Sequence, residues 1–201
     1  TNTIVPRMIA PLLVLLVLPL GYWTLIWFTQ RSLLYPVPPA SAGVRAPHDT
    51  EVVWLETPSG PAEAWLLPPL RPGVDSSGRG PAILFAHGNA ELIDHLPGHF
   101  GPVREAGFAV LLVEYPGYGR SAGKTTEASI RRTLVAGFDY LAASPEIDPE
   151  RIGACGRSLG GGAVGTLIGQ RTVAAIVLQS TFRSVAHMSR RLLVPRFLVR
   201  D

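Results

Sequence analysis

Gly156-Arg157-Ser158-Leu159-Gly160 is the stretch on which the reading of this chain turns, because it matches G-x-S-x-G and both of its flanks fit. Before it, Arg151-Ile152-Gly153-Ala154-Cys155 reads as a short buried strand, and after it Gly160 to Gln170 reads as a small-residue helix. A strand-to-helix turn tight enough to lift a serine Oγ above a sheet needs glycines on both sides, where a Cβ would clash. Ser158 would then stand at a helix N-terminus, with the dipole and the free N–H of Leu159 facing any developing oxyanion. The competing reading is a Gly/Ser-rich loop that fits a loose pattern. The surrounding segments decide against it.

Upstream, Pro81-Ala82-Ile83-Leu84-Phe85-Ala86 is an apolar run of strand length that breaks into His87-Gly88-Asn89-Ala90. A sharp His-Gly turn there frees a backbone N–H, that of Asn89, to point at a substrate oxygen as a second oxyanion donor. The His87 imidazole itself reads as packed and hydrogen-bonded beneath the loop. Between these segments, Ala109-Val110-Leu111-Leu112-Val113-Glu114 is a third strand, followed by the turn Tyr115-Pro116-Gly117-Tyr118-Gly119-Arg120-Ser121-Ala122-Gly123.

With these residues in hand, the chain resembles the α/β-hydrolase superfamily and, more narrowly, the membrane-anchored Bem46-like/ABHD-type serine hydrolases. The matching pieces are His87-Gly88-Asn89, the Tyr-x-Gly-Tyr-Gly-x-Ser turn at 115–121, Gly156-Arg157-Ser158-Leu159-Gly160-Gly161, and the lead-in Arg31-Ser32-Leu33-Leu34-Tyr35-Pro36. They cover residues 31–182 in order. The resemblance implies a mostly parallel sheet with helices on both faces and Ser158 as the catalytic nucleophile. Gly156 and Gly160 would shape its elbow, His87 and Gly88 the oxyanion loop, and Asn89 and Leu159 the oxyanion hole. No metal or organic cofactor is required, since nucleophile, base and oxyanion donors suffice.

Three further patterns compete. Gly117 to Ala122 fits G-x-G-x-x-A after a strand, with Asp139 at about the spacing of a ribose-binding acid. That acid should cap a second strand, whereas Thr126 to Ala143 reads as an amphipathic helix with Ile130, Leu134, Phe138 and Leu141 on one face. Gly123-Lys124-Thr125 imitates the end of a P-loop, but Tyr118 stands where the first glycine is required. Gly160 to Gly165 also spells G-x-G-x-x-G, inside the elbow helix. All are read as hydrolase turns and packing.

The 201 residues, 47% hydrophobic and 16% charged, suffice for one α/β domain. The net charge of +3 is small, and apart from a late Arg190-Arg191, Arg196, Arg200 group the basic residues are scattered, which excludes a nucleic-acid stripe. The single cysteine, Cys155, allows no intrachain disulfide and reads as a small core filler.

Between Arg7 and Arg31 lie 23 residues without a formal charge, long enough to span a hydrocarbon core of about 30 Å. Tyr22, Trp23 and Trp27 gather toward its C-terminal end as in an interfacial belt. Residues 8–29 are therefore expected to be a single-pass transmembrane anchor, with Pro11 and Pro19 as kink points. A cleaved signal peptide ending at Ala40-Ser41-Ala42 is the alternative, disfavoured by the distance from the apolar run. Arg7 against Arg31 and Arg45 leaves the side of the membrane open. Residues 30–50 read as a linker, and 51–201 as the hydrolase domain.

Downstream of Ser158 the only acidic residue is Asp201 and the only histidine, His187, precedes it. The fold's Ser, acid, His order therefore cannot be completed, and the chain reads as the N-terminal part of a longer protein with the last strands, triad acid and triad histidine missing. His187 is expected on a surface or cap helix, and His48, His95 and His99 in solvent. The expected activity is cleavage of an acyl ester, thioester or amide through an acyl-enzyme, on a small or lipid-like substrate or an acylated protein. These residues by themselves are expected to lack turnover. The rival is a non-catalytic, membrane-tethered module of the same fold that binds a ligand in the old cleft.

Overall fold

Runs of apolar residues with no interior charge build the centre of a six-stranded sheet, seen in a computed structural model. It describes residues 4–38 and 43–199, with the backbone alone for residues 4–10, 12 and 13. The strands are β1 (Glu51–Leu55), β2 (Ala62–Leu67), β3 (Gly80–Ala86), β4 (Ala109–Val113), β5 (Ile147–Arg157) and β6 (Ile176–Gln179). Their spatial order is β1-β2-β4-β3-β5-β6. β1 and β2 are antiparallel to their neighbours, while β4, β3, β5 and β6 run parallel. β4 is buried along its whole length and β3 nearly so, as expected of strands covered on both faces.

Side-chain alternation sends Phe85, Val110 and Leu112 to one face, where they pack with Trp65, Leu67, Ile93, Leu96 and Phe100. On the other face lies α3 (Glu127–Ala143), started by a capping box in which Thr126 and Ser129 satisfy each other's backbone N–H. Its Ile130, Leu134, Phe138 and Leu141 are all buried, in agreement with the periodicity. The first crossover is interrupted by proline. Pro97 and Pro102 break Leu92 to Ala106 into 3-10 turns at Ile93–His95 and Pro97–Phe100 and a short α2 (Gly101–Glu105). β5 begins at Ile147, earlier than the expected Arg151, because a register shift opposite Gly80/Ala82 absorbs Pro149. β6 is exposed at every position and forms the sheet edge.

Residues 35–183 form one compact unit, and the described parts of 1–34 and 184–201 another. In the second, α1 (Ile4–Leu34) runs helically through Pro11 and Pro19 and extends past the expected boundary at 29. Val14, Leu15, Leu16, Val17 and Leu18 are all exposed, so its apolar surface wraps the helix rather than forming a stripe. Among the described residues, no helix is long and apolar enough to cross a membrane. The side chains of Met8, Ile9, Ala10, Leu12 and Leu13 lie outside them, as does Ala40-Ser41-Ala42. In the same unit, Tyr22 Oη donates to Leu192 O (2.6 Å) and Trp23 Nε1 to Leu193 O (3.2 Å), following a short α5 (Val185–Arg191).

Candidate active site

Parallel pairing puts Ala86 of β3 opposite Gly156 of β5, so both strands end at one level. β3 opens there into His87-Gly88-Asn89, and β5 runs through Arg157 into Ser158 and α4 (Leu159–Leu167). Ser158 has φ 51° and ψ −112°, a strained left-handed conformation for a residue with a Cβ. It is pinned on both sides: its N–H donates to Gln179 O (2.8 Å), and its carbonyl accepts from Gly161 N–H (3.0 Å) and Thr181 Oγ1 (3.0 Å). The flanking glycines are sterically required. A Cβ on Gly156 would lie 2.3 Å from Gly160 O, and one on Gly160 would lie 2.0 Å from Ala86 O and 2.7 Å from His87 O. The second figure shows that the elbow packs backbone to backbone on the start of the His-Gly loop.

That loop is held from beneath. His87 is fully buried and stacks on Tyr115 with ring centroids 3.9 Å apart. Its Nδ1 lies 2.8 Å from Gly88 O and its Nε2 2.8 Å from Glu114 Oε1. Nε2 lies at ion-pair distance from Glu114 without an aligned hydrogen bond, and the ring is enclosed beneath the loop. Tyr115 Oη donates to His87 O (2.6 Å), and Tyr118 Oη to Asn89 Oδ1 (3.2 Å). Burial pushes the Tyr118 phenol up to about 12, and burial with the Glu114 charge raises Tyr115 well above the usual phenol range, so both hydroxyls remain donors. Gly88 N–H donates to Glu91 Oε2 (2.7 Å), leaving the next amide, that of Asn89, as the one the loop offers. Ala90 follows at φ 58°.

Leu159 is the first residue of α4 and is half-buried, as is Ser158. Cys155 is half-buried rather than fully enclosed; burial raises its thiol pKa, which keeps it from competing as a thiolate nucleophile. His48, His95, His99 and His187 are exposed, the last on α5. Asp139 lies within α3 and pairs with Arg171, not at a strand end. Asp201 lies outside the described residues.

Glu114 is the supporting residue that motif reading passes over. It follows β4 directly, and since Ala86 pairs with Val113, parallel register places it beside His87. A carboxylate closing an apolar strand, one step past the register of a histidine, is the signal that would have found it.

The strand order and the elbow after β5 define an α/β-hydrolase fold. Among solved structures, the α/β hydrolase GrgF of Penicillium shares this fold with a TM-score of 0.60 and 22% identity over 72% of this chain and 50% of that one. An esterase of Pyrococcus furiosus does so with a TM-score of 0.58 and 20% identity over 81% of this chain and 65% of that one. No family model matches the chain. The alpha/beta hydrolase domain-containing protein WAV2 of Arabidopsis thaliana is 34% identical over 166 residues, 81% of this chain and 51% of that protein. An uncharacterized protein of Mycobacterium tuberculosis is 36% identical over 181 residues, 84% of this chain and 59% of that protein. The bem46 protein of Schizosaccharomyces pombe is 29% identical over 115 residues, 54% of this chain and 37% of that protein. These relatives and the fold support a Bem46-like, ABHD-type family within the α/β hydrolases. The chain spans between half and three fifths of the length of the first two of these relatives.

Proposed function

We propose that this chain carries the nucleophile and oxyanion donors of a serine hydrolase that cleaves an acyl ester, thioester or amide. The observation that carries the reading is Ser158, held at φ 51° on the first turn of α4 and packed against the loop that offers the Asn89 amide. Ser158 Oγ attacks the acyl carbon and gives its proton to a base. The N–H groups of Leu159 and Asn89 take the negative charge of the tetrahedral oxygen. Collapse expels the alcohol, thiol or amine, and water then hydrolyses the acyl-enzyme by the same route. In this fold the carboxylate and the histidine base follow the nucleophile along the chain, and this chain spans between half and three fifths of the length of its first two relatives above.

We also propose that residues 8–29 anchor the protein in a membrane. All-round exposure of leucine and valine on α1 supports this, since a helix apolar on every side suits lipid better than a half-buried surface. An anchored site favours lipid-like acyl substrates or acylated proteins.

The test is reaction of the full-length protein with a fluorophosphonate. The wild type should label and Ser158→Ala should not. Equal labelling of the two would remove Ser158 from the mechanism, and no labelling of either would favour the binding-module reading.

A further inference from the structure

We infer that Glu91 and Arg157 form a positioning pair that locks the oxyanion loop to the nucleophile elbow. This rests on the hydrolase reading above and assigns a role to two residues outside its nucleophile and oxyanion donors. A single carboxylate oxygen, Glu91 Oε2, accepts from Gly88 N–H at 2.7 Å, and from Arg157 through Nε at 3.1 Å and Nη2 at 2.6 Å. Gly88 lies two residues past the end of β3, and Arg157 is the last residue of β5, bonded directly to Ser158. The Arg157 guanidinium also sits 5.9 Å from the centroid of the Phe85 ring on β3, which limits its rotation. The bridge therefore joins the two segments that present Asn89 and Leu159.

The other side-chain ties of the loop run elsewhere. His87 and Asn89 are held by Glu114, Tyr115 and Tyr118, at the end of β4 and in the turn after it. They fix the loop to β4 and leave its distance from the elbow to backbone packing at Gly160 and to this pair. Glu91 also commits the Gly88 amide, so the peptide that follows is the one that meets the substrate.

Magnitudes separate positioning from plain stabilisation. The two side chains are 31% and 27% exposed, and a partly solvated ion pair adds little to folding. A displaced oxyanion donor, by contrast, costs roughly 10²–10³-fold in kcat. In the full-length protein, Glu91→Ala should lower kcat on a soluble aryl ester by roughly 10²-fold. KM should stay within a few-fold, and the melting temperature should fall by only a few degrees. Glu91→Gln, which keeps an acceptor for Gly88 N–H, should recover most of the loss. Arg157→Ala combined with Glu91→Ala should cost no more than the worse single change, since the two act as one unit.

Amide hydrogen exchange at Gly88 tests the bridge without any activity. It should be slow in the wild type and in Glu91→Gln, and fast in Glu91→Ala. Unchanged exchange in Glu91→Ala, wild-type kcat in that variant, or additive losses in the double variant would each overturn the pair. If wild type and Ser158→Ala both fail to react while exchange behaves as expected, the hydrolase reading fails and the bridge stands as structure alone.

Discussion

Gly160→Ala is the sharpest perturbation the elbow offers, because it adds one methyl group and nothing else. Its Cβ would lie 2.0 Å from Ala86 O, 2.5 Å from Ala86 C and 2.7 Å from His87 O, and real Cβ atoms essentially never come within 3.0 Å of such neighbours. The obstacles are backbone atoms of β3 and the oxyanion loop, so no side chain can rotate away. The elbow must retreat by about 1 Å. Overpacking of this kind costs about 1–3 kcal/mol, and with rigid backbone on both sides we expect the upper end. For a domain of this size that lowers the melting temperature by about 6–12 °C. Gly165→Ala is the internal control. It lies on the exposed face of the same helix, and its Cβ would meet nothing within 4 Å. Helix propensity alone should make that change neutral to stabilising by about 0.5–1 kcal/mol. Thermal or urea melts of the two variants beside the wild type make the measurement. Equal stability of Gly160→Ala and Gly165→Ala would refute the close packing of elbow on loop, and with it the geometry assigned to the site.

Tyr118 and the anchor provide two more predictions. Tyr118 titrates at about 12 when folded, raised by burial, against about 10 in an unfolded chain. The folded state therefore keeps its proton longer, so the contribution is complete below about pH 10 and lost as pH rises toward 12. Urea melts from pH 9 to 11.5 should show a shallower alkaline decline for Tyr118→Phe, on a background that Tyr115 and Tyr140 still provide; identical declines would show that Tyr118 ionises as in water. For the anchor, the full-length protein should stay in the membrane fraction through a carbonate wash and leave it when residues 8–29 are deleted. Recovery of a processed protein beginning near Gly43 would show a cleaved leader instead.

What the sequence disclosed divides along a physical line. The elbow, the His-Gly turn and α3 were legible because each follows from local chemistry: glycines where a Cβ would strike backbone, a capping Thr126, an apolar face every three to four residues. The supports were not legible, because they arise from register. Glu114 meets His87 only once β3 and β4 pair Ala86 with Val113, and Glu91 reaches Arg157 only once β3 and β5 pair Ala86 with Gly156. In the sequence these are scattered charges at loop edges. One boundary differed: β5 begins at Ile147 rather than at Arg151, across a register shift opposite Gly80/Ala82 that no local pattern announces.

The strain at Ser158 ties these layers together. A residue with a Cβ at φ 51° costs of order 1–3 kcal/mol, and such a conformation persists only where its surroundings over-determine it. Here they do. Gln179 of β6 takes the N–H, Thr181 and Gly161 bind the carbonyl, and the two glycines of the motif clear the space for the turn. Glycine at 158 would relieve the strain, since it tolerates this backbone without penalty; it would also remove the hydroxyl. A serine kept in a glycine's conformation, beside a loop that buries a histidine beneath it, is structural cost borne at one point. On the serine-hydrolase reading proposed above, the gain that accounts for it is an Oγ presented at a helix N-terminus, next to amides arranged to receive negative charge.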